Sequence, residues 1–533
     1  MDNMTLSDGG TRPSPSPSPC TVQQEDAITA VVRAVVEAKT TGVINNYGME
    51  ACAGSGKTST LVAMIERLHQ VDPTARVLVL AFNVDAAAQL RHRLQPLASG
   101  LVVDVFTLHA YGMRILGAAS TDPIRFDPDK MLCKWQNMPG RTPASTTEWR
   151  RIRTHIDNAR RLGSVPGFQE RPLTLDDAVL EVMINDRHTI DQDDQIYQCL
   201  VQQLTAGETY DLVLVDEAQD LNTANISFLR TVVAPLGTRT VLCAVGDPAQ
   251  AIYAFRGADP DALQRYGAAF MAQWLHLTCC FRCPRRIVFL ASHLCSAIRH
   301  QPNAPVGSVR VLVTAHPWQT LLDCVSTHQK ETSQINQTLF LARNNRTLLA
   351  VLGHIYQTVD CVAGIHWLSP GIARELRILV EEWMDIRLGE RFKMAALAIE
   401  QHTVTATERI MHSILEMAIQ VEGVERQASE SPWLQWLVDV LDSDNGRRRA
   451  LTVGTIHAVK GEEWPHVVIH DFNMFGQCEE NGPATQDRNL LYIAITRAQQ
   501  SLTFLLNKRT KHIRSHLLPI DIVHYSGELW TEA

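Results

Sequence analysis

A chain of 533 residues exceeds what one hydrophobic core supports, so two to four domains are expected. Its 45% hydrophobic and 20% charged residues are those of an ordinary soluble enzyme, and no apolar run approaches the ~20 residues that a bilayer span needs. A net charge of −8 argues against a uniformly basic nucleic-acid binder and leaves only local clusters: Arg150, Arg151, Arg153, Arg160 and Arg161; Arg282, Arg285 and Arg286; Arg447 to Arg449; and Lys508, Arg509, Lys511 and Arg514.

Residues 1–20 carry Ser14-Pro15-Ser16-Pro17-Ser18-Pro19, a low-complexity stretch that cannot bury enough surface to fold. The start lacks a basic-then-apolar leader, so an intracellular protein is expected. From Gln23 the pattern runs helix, strand, then Ala51-Cys52-Ala53-Gly54-Ser55-Gly56-Lys57-Thr58. This reads as a phosphate-binding loop: small residues let successive backbone N–H groups turn toward phosphate oxygens, Lys57 neutralises their charge, and Thr58 can ligate Mg²⁺. Ala51 stands where the strict pattern has glycine. Arg76 to Phe82 is a second strand followed by an Ala-rich helix, and Val102 to Phe106 a third. Between about 113 and 199 the strand signal gives way to helical spacing, an insertion.

Tyr210 to Val215 is an apolar, β-branched run that suits a buried strand, and Asp216-Glu217-Ala218-Gln219-Asp220 follows at its carboxyl end. There Asp216 is placed to hold Mg²⁺ and Glu217 to orient and deprotonate a water. The phosphate loop and these carboxylates together make an ATP-hydrolysing engine. Val241 to Val245 is another strand; a second α/β pattern begins near Leu275 and resumes at Leu451 to Gly454, Val467 to Ile469 and Leu502 to Leu505, interrupted by a helical block that includes Ile372 to Ile386. Strands alternating with helices predict an α/β fold of two parallel-sheet lobes. The expected division is 21–275, with a helical insertion at about 113–199, and 276–533, with a reduced insertion at about 353–447. The twelve cysteines are scattered. Cys280 and Cys283 form a C-x-x-C with Cys279, His293, Cys295 and His300 nearby, but the second C-x-x-C of a zinc site is missing, and buried free thiols are expected.

Val245-Gly246-Asp247-Pro248-Ala249-Gln250-Ala251-Ile252-Tyr253-Ala254-Phe255-Arg256-Gly257 combines a strand end, a Gln, aromatics and an Arg. With Phe281-Arg282, Thr455-Ile456-His457-Ala458-Val459-Lys460-Gly461-Glu462-Glu463-Trp464 and Leu490-Leu491-Tyr492-Ile493-Ala494-Ile495-Thr496-Arg497-Ala498, it completes a series that resembles the UvrD/Rep-like DNA helicases of superfamily one, in order and spacing, over about Gln24 to Leu505. The wording is similar to compact members such as the F-box DNA helicases. The resemblance implies two RecA-like lobes, ATP with Mg²⁺, and 3′ to 5′ movement on single-stranded DNA with opening of single-strand/duplex junctions, in repair, recombination or replication, with the protein associated with DNA and not with membrane.

Carried over by position, the resemblance implies that Gln24 reads adenine, Phe281 stacks on it where relatives have Tyr, and Glu463 contacts the nucleotide. Gln250 senses the γ-phosphate, and Arg282 and Arg497 reach it across the cleft. Phe82, Tyr253 and Phe255 match aromatic contacts to DNA bases, and Asn83, Thr107, His109, Arg343, Asn344, Thr455 and His457 match polar contacts to the strand. Lys460 is expected at the hinge between lobes. The shortened second insertion sits where the family's duplex-engaging subdomain belongs, and Glu462 replaces a common Leu.

Overall fold

The computed structural model describes residues 21–95, 102–137, 146–163, 175–254, 257–314, 320–321, 338–358, 365–368, 406–422, 431–441, 451–470 and 484–507. The Ser-Pro stretch and residues 372–386, where the sequence predicts a helix, lie outside them. Thr21 opens α1 (Val22–Thr41) with a reciprocal cap: its hydroxyl accepts the Gln24 N–H while Gln24 Oε1 accepts the Thr21 N–H. Behind α1 stands a sheet of β1 (Tyr47–Ala51), β2 (Arg76–Ala81), β3 (Val102–Thr107), β4 (Leu212–Val215), β5 (Val241–Gly246) and β6 (Gln273–Leu277). All its pairings are parallel, in the order β3-β2-β4-β5-β1-β6. The apolar runs alternate between two cores. Val77, Val79, Leu212 and Leu214 face α1, α2 (Lys57–Val71) and α3 (Val84–Leu94), whereas Leu78, Leu80, Val213 and Val215 face the opposite layer.

That opposite layer contains α4 (Leu108–Ala119), and beyond it α5 (Lys130–Gln136), α6 (Thr146–Leu162), α7 (Leu175–Asn185) and α8 (Asp194–Val201) build the helical insertion. The insertion has its own small core of Trp135, Ile152, Ile156, Val179, Leu180, Met183 and Tyr197. Beside that core lies a buried charge network in which Lys130 pairs with Asp194 at 2.5 Å, and Arg160 with Asp194 at 2.8 Å and Asp191 at 2.9 Å. α9 (Thr223–Phe228) and α10 (Ala262–Phe270) return the chain to the sheet.

After α11 (Arg285–Ser292) a second parallel sheet is built from β7 (Ser308–Thr314), β8 (Thr338–Ala342), β9 (Ile365–Leu368), β10 (Leu451–Thr455), β11 (Trp464–His470) and β12 (Ala498–Asn507), in the order β7-β12-β11-β8-β10-β9. Leu339, Leu341, Val467 and Ile469 face α11 and a late helix, α15 (Ala484–Ile495). Phe340, Ala342 and Val468 face α12 (Asn345–Thr358), α13 (Ala406–Glu422) and α14 (Pro432–Leu441). The chain is thus α/β with two parallel, RecA-like lobes. Two boundaries differ from the sequence reading. β6 pairs with β1 along its whole length, from Gln273 opposite Tyr47 to Leu277 opposite Ala51, so the first sheet does not end at 275. β9 pairs with β10, so part of the 353–447 block is a strand of the second sheet and not helical insertion.

Candidate nucleotide site and aromatic track

Every strand of the first sheet points the same way, so its functional loops gather at one edge. The order reverses around β1, which lies next to β5 and β6 and apart from β2, and such a reversal opens a crevice at the carboxyl ends. The phosphate loop leaves β1 there, with Gly54 at φ +68° and Gly56 at φ +81°, left-handed values that glycine adopts without strain. Close approach also requires these glycines: a Cβ on Gly54 would stand 2.8 Å from Arg282 Cβ and 2.9 Å from Cys280 Sγ, and one on Gly56 would stand 2.8 Å from Gln24 Nε2. Lys57 and Thr58 begin α2, both partly buried, and Ala51, Cys52 and Ala53 are buried at the end of β1.

Asp216 follows β4 and accepts the Glu217 N–H at 2.9 Å, while Glu217 sits at φ +53°, a left-handed conformation rare for a side-chain-bearing residue. The two carboxyl groups are shifted in opposite directions. Burial, with the neighbouring Glu217 charge, pushes Asp216 up to about 6. Burial also acts on Glu217, but the Lys57 and Lys460 ammonium groups outweigh it and hold the carboxyl at about 2. Lys57 Nζ lies 3.2 Å from Glu217 Oε1. Gln219 ties the site together: its Nε2 donates to Glu217 Oε2 and its Oε1 accepts the Asp247 N–H. Asp247 in turn accepts from Gln250 Nε2 at 2.7 Å.

The second lobe closes the other side. Arg282 Nε donates to Glu463 Oε2 at 2.5 Å, and its Nη1 to the Thr496 carbonyl. Arg497 is buried, and its guanidinium donates to the Glu462 and Ile493 carbonyls and to Thr496 Oγ1; among the described residues no carboxylate pairs with it. Burial, together with the Arg282 charge, pushes it down to about 9, which leaves it cationic at neutral pH. The Glu462 side chain is exposed, so only its carbonyl serves the site. Phe281, half-buried, donates its N–H to the Gly54 carbonyl at 2.8 Å, which ties its backbone to the phosphate loop. Gln24 also meets the phosphate loop. Its Nε2 donates to the Ser55 carbonyl and Thr60 Oγ1, so its amide braces the phosphate loop.

Several residues that hold the lobes together had no assigned role in the sequence. Tyr492 Oη accepts the Ala53 N–H at 3.0 Å, Asn489 donates to the Pro248 and Ala251 carbonyls, and Gln486 to the Ile252 carbonyl. Lys460 pairs with Asp220, donates to the Gln250 carbonyl and stands 4.8 Å over the Tyr253 ring, which places it at the lobe junction. Tyr492 was legible only as a polar tip within an otherwise apolar helix.

Away from the phosphate loop, Phe82 and Tyr253 stack with centroids 5.5 Å apart at 17°, and Tyr253 lies 6.4 Å from His457 of the second lobe. Phe255 lies outside the described residues. Asn83, Thr107 and Asn344 all act as N-caps: their side-chain oxygens accept the N–H groups of Ala86, Ala110 and Thr347. Arg343 pairs with Asp487 at 2.9 Å, and burial pushes the His109 imidazole down. Thr455 ends β10, at the same sheet edge as Arg343 and Asn344. Cys280 and Cys283 are buried free thiols, and no metal-binding cluster of three or more His, Cys, Asp or Glu occurs among the described residues.

A family model described as an AAA domain matches residues 32–256, and one described as the UvrD-like helicase C-terminal domain matches residues 450–505. The chain belongs to the UvrD-like superfamily 1 helicases. Among curated UvrD-like relatives, DNA helicase II of Haemophilus influenzae is 26% identical over 290 residues, 47% of this chain and 38% of that protein. ATP-dependent DNA helicase UvrD2 of Mycobacterium tuberculosis is 23% identical over 551 aligned positions, 85% of this chain and 75% of that protein. F-box DNA helicase 1 of Gallus gallus is 24% identical over 354 residues, 59% of this chain and 31% of that protein. No described helix of this UvrD-like chain is long and apolar enough to cross a membrane.

Proposed function

We propose that the protein hydrolyses ATP at the lobe junction and uses it to move 3′ to 5′ along single-stranded DNA, opening duplex ahead of it. The observation that supports this best is Arg497, a buried cation with no carboxylate partner among the described residues, which lies near enough to Glu217 to feel its charge. A buried charge is tolerated when a ligand supplies the missing countercharge, and a polyphosphate does so. Ser55 Oγ, buried without a hydrogen-bond partner in the phosphate loop, fits the same ligand.

In this reading the phosphates lie on the loop N–H groups with Lys57, Arg282 and Arg497 around the terminal one, and Gln250 reports its presence to Tyr253 through the intervening turn. Phe281 covers the base and Glu463 lies beside the ribose, with Gln24 supporting the loop from behind. Thr58 and Asp216 would hold Mg²⁺, which supplies charge neutralisation between the phosphates. With substrate competing for Lys57, Glu217 is released from its pairing, regains basicity and takes the proton of the attacking water.

Phe82, Tyr253 and His457 span both lobes, so closure changes the spacing of a base-stacking surface; any base stacks there, and no sequence readout is needed. Asn83, Thr107 and Asn344 cap helices at strand ends, and the helix N-termini they open present N–H groups to DNA phosphates, with His109, Arg343 and Thr455 beside them; Phe255 is assigned to base stacking from its place in the sequence alone.

Translocation that strips bound proteins without opening duplex is the second reading. It draws support from α13 and α14, whose apolar faces share the core of the second lobe instead of forming a separate body. Strand-displacement assays on duplexes with a 3′ or a 5′ single-stranded tail separate the two. Opening from the 3′ tail alone is expected; opening from the 5′ tail alone overturns the direction, and translocation without opening selects the second reading.

A further inference from the structure

The Arg282, Arg285 and Arg286 cluster divides in the structure. Arg282 turns into the cleft, while Arg285 and Arg286 line a separate cavity of about 460 Å³ with Val288, Phe289, Ile298, Arg299 and His300. Val288 and Ile298 are buried and supply an apolar floor, and Phe289 is 52% exposed beside it. Around them the cations are not neutralised. Arg285 donates its Nε to the Ala304 carbonyl and Arg299 its Nη1 to the Ser296 and Ile298 carbonyls, neutral acceptors that leave both charges standing, and no acid pairs with Arg285, Arg286 or Arg299 among the described residues. Elsewhere the described arginines of the two lobes are often paired, as Arg76 with Glu208 and Arg343 with Asp487.

Position separates this cavity from the aromatic track. The Arg285 and Arg286 N–H groups bind the Pro305 and Val306 carbonyls, immediately before β7 begins, so this rim lies at the amino-terminal edge of the second sheet. Arg343, Asn344 and Thr455 lie at its carboxyl-terminal edge, one strand length or roughly 15 Å away. A strand held on the track does not reach this rim without leaving the track.

We infer that the surface between α11 and residues 298–300 is a docking site for an acidic protein segment carrying an aromatic or large aliphatic side chain. Guanidinium forks take carboxylates in two-point hydrogen bonds, and the concave floor with Phe289 takes the apolar side chain. Charge complementarity selects this occupant, because guanidinium groups without an acidic partner among the described residues gather here on a chain whose net charge is −8. The site begins three residues beyond Arg282, so an occupant would sit on the helix that follows the cleft arginine.

The test uses the full chain and a fluorescein-labelled dodecapeptide of Asp and Glu interrupted by one central Phe, with binding followed by anisotropy. Replacing the Phe by Ala in the probe, or making Phe289→Ala in the protein, is expected to weaken binding several-fold, and Arg286→Glu with Arg299→Glu about tenfold or more. Basal ATP hydrolysis and affinity for labelled oligo(dT) are expected to stay unchanged, which also shows that the variants fold. Failure of the wild-type chain to bind the probe, or equal binding by wild type and double variant, overturns the proposal. Loss of oligo(dT) affinity in the double variant also overturns it, in favour of a nucleic-acid surface. None of these outcomes depends on whether the protein unwinds DNA.

Discussion

Asp216 and Glu217 are adjacent in sequence yet differ in protonation by several pH units, and the cause is which cations each one faces. Asp216 is buried beside a like charge, so the folded protein holds its proton more tightly than the unfolded chain does. Its ionisation therefore costs stability, a cost that appears as pH rises from its ordinary 3.8 through about 6. Asp216→Asn removes that cost. The substituted, nucleotide-free protein is expected to melt no lower than wild type at pH 7.5, with any advantage shrinking below pH 6, while Mg²⁺-dependent hydrolysis is lost. Glu217 has the opposite sign: its stabilisation is present above its ordinary 4.5 and is lost as pH falls toward 2. Glu217→Gln should lower the melting temperature at neutral pH and reduce turnover about 10²- to 10⁴-fold with nucleotide binding retained. A melting temperature unchanged by Glu217→Gln would count against its pairing with Lys57 and Lys460. Arg497→Met is expected to cut turnover about 10³-fold or more and yet not destabilise the nucleotide-free protein, because a buried, unpaired cation is replaced by an apolar chain of similar length. Calorimetry beside a turnover assay reads both. Asp216 and Glu217 were legible in sequence because they end an apolar strand in a short run whose chemistry is local, whereas the role of Arg497 came only from the resemblance. Asn83, Thr107 and Asn344 were ambiguous for the same reason: a short polar residue between strand and helix satisfies both a cap and a phosphate contact, and the cap is what the geometry displays.

At the scale of elements, the long apolar strands announced themselves, since Val77 to Ala81 and Leu212 to Val215 are buried on both faces. β9 did not. Ile365 to Leu368 is four residues long within a region of helical spacing, and periodicity cannot assign so short a run. β6 was divided because Gln273 and His276 interrupt its apolar pattern, and its place is fixed by pairing with β1 rather than by composition. The first insertion shows a different limit. Its Arg-rich segment is one of the local basic clusters of the sequence, but Arg160 is 3% exposed and shares Asp194 with Lys130. Removing one partner leaves charge buried without compensation, so Lys130→Met should cost about 3–5 kcal/mol of the insertion's stability, measured by hydrogen exchange of α5 to α8. Exchange unchanged in those helices would show that the network contributes little.

Across the whole molecule, side chains at the lobe junction connect the carboxylate cluster to the track. Lys460, from the second lobe, pairs with Asp220, donates to the Gln250 carbonyl and covers the ring of Tyr253. Removing it should uncouple the two sites: Lys460→Ala is expected to keep nucleotide affinity within a few-fold and to lose most of any stimulation of hydrolysis by single-stranded DNA. Stimulation that survives the substitution would move the coupling to Tyr492, Asn489 and Gln486. In the proposed function the nucleotide cleft and the aromatic track are two ends of one device. Steady-state ATP hydrolysis measured against increasing oligo(dT), with Glu217→Gln as the control, tests it most directly. Saturable stimulation of about tenfold or more, absent in the control, is the predicted result; turnover that is indifferent to oligo(dT) at every concentration contradicts it.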